Sequence, residues 1–248
     1  MASNTLSQQV QQNNCHILYD ASVISKPEID LLNPDWLQRH GQVNPIATGR
    51  GSAWFVDYQS MHWVLRRYLR GGMVARWNRQ HYLGWRRAKS RAWREWALLQ
   101  QLHSEGFPVP QPVAASVCWP LGRVVGIYTT AILLQRLPDV VTLAAHIKHS
   151  PLAPPLWQAV GQCIRRFHDR GVYHADLNAD NILLQKSGHI YLIDFDRGEL
   201  RAAGPWQQAN LQRLKRSLLK LKGLNSTFYF CEEDWQLLLA GYAERISA

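Results

Sequence analysis

From Phe167 to Gly198 the chain reads FHDRGVYHADLNADNILLQKSGHIYLIDFDRG, and no other stretch of the 248 residues constrains the fold as much. The preceding run PLWQAVGQCIRRFHDR, at about 155–170, has helical spacing. It stops at Gly171, a residue that closes helices by adopting the left-handed conformation others resist. A polar loop then carries Asp176 and, five positions later, Asn181. The segments ILLQ, KSGH and IYLIDF follow, and alternation around a turn makes them a two-stranded hairpin. A hairpin returns the chain to its origin, so Asp194 comes back towards Asn181. Oxygen donors alone suit a hard cation such as magnesium. Asp176 or Asn181 taken singly could be a loop cap. Their joint placement with Asp194 is what points to chemistry.

The order of these parts resembles that of protein kinases, which carry H-R-D-x-x-x-x-N, a hairpin and then D-F-G. Here His174–Ala175–Asp176, Asn181 and Asp194–Phe195–Asp196 stand in those places, and His168 lies on the approaching helix. The resemblance implies phosphoryl transfer, which asks little covalent chemistry of a protein and much positioning. It makes Asp176 the base that orients and deprotonates an acceptor hydroxyl. It makes Asn181 and Asp194 ligands of Mg2+ on the phosphates of ATP. Ala175 replaces the arginine that would read a phosphorylated activation loop, and no A-P-E segment follows. Asp196 replaces the glycine of D-F-G, which removes the most flexible position of that switch.

Upstream, IATGRGSAWFVDYQSMHWVLRRYL reads as two alternating runs joined at Gln59–Ser60, with glycines ahead of them. Gly49, Gly51 and Val56 resemble the glycine loop of kinases, with Trp54 where a third glycine would stand. Trp63–Val64–Leu65–Arg66 aligns with V-A-I-K, which puts Arg66 where kinases use a phosphate-binding lysine. Val64 and Arg66 share a strand face by period-2 geometry. Val64 would then cover the adenine while Arg66 reaches the phosphates, and Arg67 points the other way. An arginine there brings a planar fork of different reach. Residues 86–103 have helical spacing, and Glu95 on that helix is the natural partner of Arg66. Two further helices are expected near 205–222 and 232–246.

The formal charge is +10, and it has an address. The 37 residues from Tyr58 to Arg94 contain no acid and ten basic residues, interleaved with Trp63, Trp77, Trp85 and Trp93. Such a block suits an anionic and amphipathic partner, either a membrane face or a nucleic acid. The polar N-terminus lacks the apolar run of a signal peptide, and no apolar stretch approaches the ~20 residues needed to span a bilayer. Cys15, Cys118, Cys163 and Cys231 lie far apart with no metal-ligand spacing, so free buried thiols in a reducing compartment are expected. The expected fold is α+β, protein-kinase-like and bilobal, with an antiparallel-sheet N-lobe and a mostly helical C-lobe. Its expected divisions are an N-terminal lead-in at 1–44, loosely ordered at the start of its first 30 residues, an N-lobe at 45–136 and a C-lobe at 137–248.

GRGSAWF, VLRRYLRGG, GWRRAKSRAWREWALLQQL and HADLNADNILL with IDFDRGELR together resemble the lipopolysaccharide kinases over roughly residues 45 to 245. Within that family the likeness is greatest to the members acting on 3-deoxy-D-manno-octulosonic acid (Kdo). It implies ATP-dependent phosphorylation of the 4-hydroxyl of a Kdo residue on a lipid A precursor. It further implies a peripheral protein at the cytoplasmic face of a bacterial inner membrane. An acceptor with a sugar carboxylate and lipid phosphates needs cations near Asp176, and Arg197 and Arg201 are candidates. A heptose kinase of the same core oligosaccharide and a short atypical protein kinase are the rival readings. A nucleic-acid-binding module built on the Arg/Trp block is a non-enzymatic rival, disfavoured by the set of Asp176, Asn181 and Asp194.

Overall fold

The computed structural model describes residues 7–40, 43–45, 53–68, 82–83, 87–125, 127–225 and 227–244. Gly49, Gly51, the Arg70–Gly72 motif, Arg76, Arg79, Arg86, Trp77 and Trp85 lie outside the described residues. The chain divides into two compact units. One holds Met1–Glu105 and Pro110–Arg136; the other holds Gly106–Val109 and Leu137–Ala248.

The first unit is built on an antiparallel sheet. Its strands are β1 (Ser7–Gln12), β2 (Cys15–Asp20), β3 (Val43–Pro45), β4 (Ala53–Tyr58), β5 (Met61–Arg67), β6 (Tyr82–Leu83), β7 (Pro112–Cys118) and β8 (Ile127–Gln135). The order across the sheet is β1-β2-β7-β8-β5-β4-β3, with β6 paired to β8. β4 and β5 turn at Gln59 and Ser60, both with positive φ (46° and 63°), the twist a two-residue hairpin needs. Residues 7–40, within the expected lead-in, add two strands to the sheet edge and cover one of its faces. There Leu31, Leu32 and Leu37 pack with Ile17, Tyr19, Trp63, Leu65, Val56 and Leu133. The helix α1 (Pro34–Arg39), capped by Asn33 accepting from the Asp35 N–H, belongs to that cover.

The helix α2 (Arg91–Ser104) packs on the opposite face, against β7 and β8. It begins later than the spacing from 86 predicts, because Ser90 takes the N-cap and its Oγ accepts from the Trp93 N–H. Trp93, Trp96, Leu99 and Leu102 are buried on its inner side. Trp63 is also core, so it is withdrawn from the set available to a membrane. The expectation of free thiols fails for Cys15 and Cys118. These stand directly opposite each other in the β2–β7 ladder and form a disulfide. The pair is 103 residues apart in sequence, so only the strand register brings the two together. Cys163 and Cys231 are free, and burial pushes the Cys163 thiol up to about 12.

The second unit contains β9 (Val140–Thr142), α3 (Leu143–His149), α4 (Pro154–Asp169), β10 (Val172–Tyr173), β11 (Ile182–Gln185), β12 (Ile190–Leu192), β13 (Glu199–Leu200), α5 (Trp206–Leu224) and α6 (Glu232–Ala243). β11 and β12 form the expected hairpin, and β9 adds to its edge. Gly171 has φ +82° and its N–H closes on the His168 carbonyl, as a helix-ending glycine should. An added Cβ at Gly171 would come within 2.5 Å of the Arg201 carbonyl oxygen. α4 and α6 pack backbone to backbone at two glycines, Gly161 and Gly241, beside Trp157, Ile164, Trp235 and Leu238. With a sheet-based first unit and a helix-rich second one, the architecture is α+β, as expected.

Candidate active site

In the second unit the loop after β10 is held from several directions. Asn178 accepts from the N–H groups of Asp180 and Asn181, capping the 3-10 turn Ala179–Asn181, and its Nδ2 donates to the Asp176 carbonyl at 3.0 Å. Asn181 Nδ2 donates to the same carbonyl at 2.9 Å. The Asp176 N–H donates to His174 Nδ1 at 3.2 Å. An acceptor Nδ1 leaves the proton on Nε2, which donates to the Ile193 carbonyl at 2.9 Å. The Ile193 N–H in turn donates to the Asn181 carbonyl. His174 therefore ties Asp176 to the residue before Asp194, and the hairpin base ties Asp194 to Asn181. The three sequence-predicted residues are brought together as the spacing implied.

Asp194 has φ +65°, a conformation that costs a non-glycine residue about 1–3 kcal/mol, though Asp and Asn bear it best. Its neighbour holds it there. Phe195 is fully buried, 5.7 Å from the Phe167 ring and 4.8 Å from His174 between centroids. His168 has no part in this chemistry. It is buried, its Nδ1 meets the Tyr242 hydroxyl at 2.9 Å, and burial pushes its pKa down to about 4.

The sequence reading missed α5 altogether as part of the site. Asn210, Arg213 and Ser217 lie three and four residues apart, hence along one side of the helix. Each touches the loop. Asn210 accepts from the His174 N–H at 3.3 Å and donates to its carbonyl at 3.0 Å. Arg213 Nη1 donates to Asp176 Oδ1 at 2.9 Å, with the two side chains 48% and 53% exposed. Ser217 Oγ accepts from the Ala179 N–H at 3.2 Å. The polar stripe inside a leucine-rich helix was the signal that could have found them. Asn210 is buried, and an unpaired buried polar group costs about 1–3 kcal/mol. Asn210→Ala removes its bonds to both backbone groups of His174. It should lower stability by roughly 2–4 kcal/mol in urea unfolding. A change below about 0.5 kcal/mol would show that the loop stands without α5.

The two arginines proposed for the acceptor have contacts of their own. Arg201 lies over the Tyr173 ring at 3.5 Å and pairs with Glu199 at 2.6 Å, so it fastens β13. Arg197 has φ +60° and stands 3.8 Å from Asp196. Arg213 is the arginine that donates to Asp176.

In the first unit, Arg66 Nη1 donates to Glu95 Oε1 at 2.8 Å, the pairing the sequence suggested. Glu95 is buried, and its other oxygen accepts from the Tyr68 hydroxyl. Tyr68 shares the face of Arg66 by period 2, a partner the sequence offered and the reading passed over. Val64 lies on this face too, opposite Phe55. Val56 does not. It pairs with Trp63 and is fully buried in the core on the far side of the sheet, so it cannot line a nucleotide with Val64. The register reverses the expectation, because one residue of shift moves a strand's side chains to the other face. Arg67 is on the far face as well, and burial lowers its pKa.

The model of the lipopolysaccharide kinase (Kdo/WaaP) family matches residues 34–242. A 3-deoxy-D-manno-octulosonic acid kinase of Xanthomonas euvesicatoria pv. vesicatoria (strain 85-10) is 47% identical over 212 residues, covering 85% of this chain and 82% of that protein. One from Xanthomonas campestris pv. campestris (strain B100) is 43% identical over 229 residues, covering 91% and 88%. One from Xylella fastidiosa (strain M12) is 43% identical, covering 85% and 82%. Among solved structures, the choline kinase LicA from Streptococcus pneumoniae aligns with a TM-score of 0.43 at 14% identity, covering 82% of this chain and 75% of that one. With a family match over most of its length and relatives above two-fifths identity, the chain belongs to the lipopolysaccharide kinase (Kdo/WaaP) family and is a phosphotransferase acting on a hydroxyl group.

Proposed function

We propose that the protein transfers the γ-phosphoryl group of ATP to the 4-hydroxyl of a Kdo residue on a Kdo-lipid A precursor. The reaction would belong to lipopolysaccharide inner-core assembly, at the cytoplasmic face of the inner membrane. The observation that carries this reading is the joining of Asp176, Asn181 and Asp194 by the His174 and Asn181 hydrogen bonds, in a chain whose relatives are named for Kdo.

Asp176 accepts the proton of the acceptor hydroxyl as the oxygen attacks phosphorus, and Arg213 on Oδ1 fixes the carboxylate so that Oδ2 faces the acceptor. The donor set fits Mg2+. Asn181 directs its amide hydrogens at the Asp176 carbonyl, and its Oδ1 takes no hydrogen bond from the described residues, which leaves an oxygen to pair with the Asp194 carboxylate. Two protein oxygens, with water and phosphate completing the shell, are what this ion usually takes. When bound, it would neutralise charge building on the phosphates. In the first unit Arg66 would contact phosphate. Glu95 and Tyr68 hold its guanidinium, and Val64 offers apolar surface to the base.

In the cytoplasm thiols are largely kept reduced. β2 and β7 keep their register through four further ladder pairs besides Cys15–Cys118. The test is incubation with γ-labelled ATP and Mg2+ against Kdo-lipid A, a heptosylated acceptor and a generic protein substrate, with the product position read by NMR. Label at the Kdo 4-position is expected. Label on heptose or protein alone would overturn the reading.

A further inference from the structure

One side of α5 grips the catalytic loop, and the other side is unaccounted for. The 30 residues from Ala202 to Cys231 contain five cations and no acid. At 100° per residue, Gln212, Arg213, Arg216, Leu219, Lys220, Gly223 and Leu224 share the side opposite the buried Leu211, Leu214 and Leu218. All seven are exposed, Leu219 by 49% and Leu224 by 70%. The flanking cations are engaged: Lys215 with Glu232 at 2.8 Å, and Lys222 with the Phe230 carbonyl at 2.7 Å. Arg216 and Lys220 have no partner among the described residues.

We infer that this face of α5 is the surface on which the anionic bilayer carrying the acceptor lies. Arg213 marks the point where it meets Asp176. The inference rests on the glycolipid reading above and adds where the lipid is met. Exposed leucines among unpaired cations match a bilayer interface, where apolar side chains sink below the head groups and cations stay among the phosphates. A second copy of the chain fits poorly, because a two-fold contact would set Arg216 and Lys220 against like charges. Nucleic acid would match the cations but not Leu219 and Leu224.

The experiment uses the full-length protein, without ATP or acceptor, and measures sedimentation with phosphatidylglycerol–phosphatidylcholine vesicles and with phosphatidylcholine vesicles alone. Binding to the anionic vesicles only is expected. A basic residue at such a surface contributes roughly fivefold, so Arg216→Gln with Lys220→Gln should weaken partitioning roughly 30-fold at low salt. Leu219→Ser with Leu224→Ser should weaken it independently, and all four positions are exposed enough for the melting temperature to hold. Partitioning of both variants within about twofold of the parent overturns the inference. So does loss confined to a variant neutralising Arg76, Arg79 and Arg86, or a change in oligomeric state with partitioning intact. Because no acceptor is present, vesicle binding lost on substitution upholds the α5 surface even if no Kdo lipid is phosphorylated; that result would remove only the acceptor assignment.

Discussion

Asp176→Asn is expected to lower kcat by about 10²–10⁴ while leaving the fold and the KM for ATP near their original values. The amide is isosteric with the carboxylate, so the oxygen facing Arg213 can still accept its hydrogen bond. What disappears is the ability to take a proton from the acceptor hydroxyl. The neighbouring contacts run through the Asp176 backbone, to His174, Asn178 and Asn181, and these are untouched by the substitution. Stability should therefore move little, and a thermal melt separates loss of chemistry from loss of fold. Turnover within about tenfold of the parent would mean that another group serves as base or that none is needed.

Gly241→Ala should reduce stability by about 3 kcal/mol or more, a fall of about 6–12 °C in melting temperature for a chain of this size. Two effects oppose each other. Alanine in place of glycine inside a helix favours the folded state by up to about 1 kcal/mol. Against that, the new Cβ would stand 2.1 Å from the Gln158 carbonyl oxygen and 2.7 Å from its Cα, both backbone atoms. A flexible side chain could swing aside, but a helix backbone moves only as a body. α4 and α6 would have to separate, loosening Trp157, Ile164 and Leu238, which are fully or almost fully buried. The clash outweighs the propensity. A Cβ added at Gly161 would likewise run into the Leu238 carbonyl oxygen, so Gly161→Ala should cost a similar amount. The double variant should cost less than the sum, since one separation relieves both clashes. A melting temperature unchanged within about 2 °C for either single variant would show that the helices are not so closely packed.

The parts legible in the sequence were local. Gly171 announced the end of α4 because a left-handed residue there must lack a Cβ. The alternation in ILLQ and IYL defined the β11–β12 hairpin, and with it the return of Asp194 to Asn181. Glu95 could be matched to Arg66 because it is the first acid after the basic stretch and stands on a helix readable by period. Three features were not legible for a common reason. The Val56 side of the sheet depends on the β4–β5 register, and a single-residue difference reverses it. Cys15 meets Cys118 only because β2 docks beside β7 across a long intervening segment. Asn210, Arg213 and Ser217 contact the catalytic loop 36 to 38 residues away, a distance over which helical period carries no information about what the helix faces.

What the sequence by itself made legible was the candidate base and its companions, because Asp176, Asn181 and Asp194 are connected through one loop and one hairpin whose geometry follows from neighbours in the chain. Only the tertiary structure decided what holds that loop and what lies beside it. α5 is placed by the burial of Leu211, Leu214 and Leu218, a non-directional force that the pattern of one segment cannot aim at a particular partner.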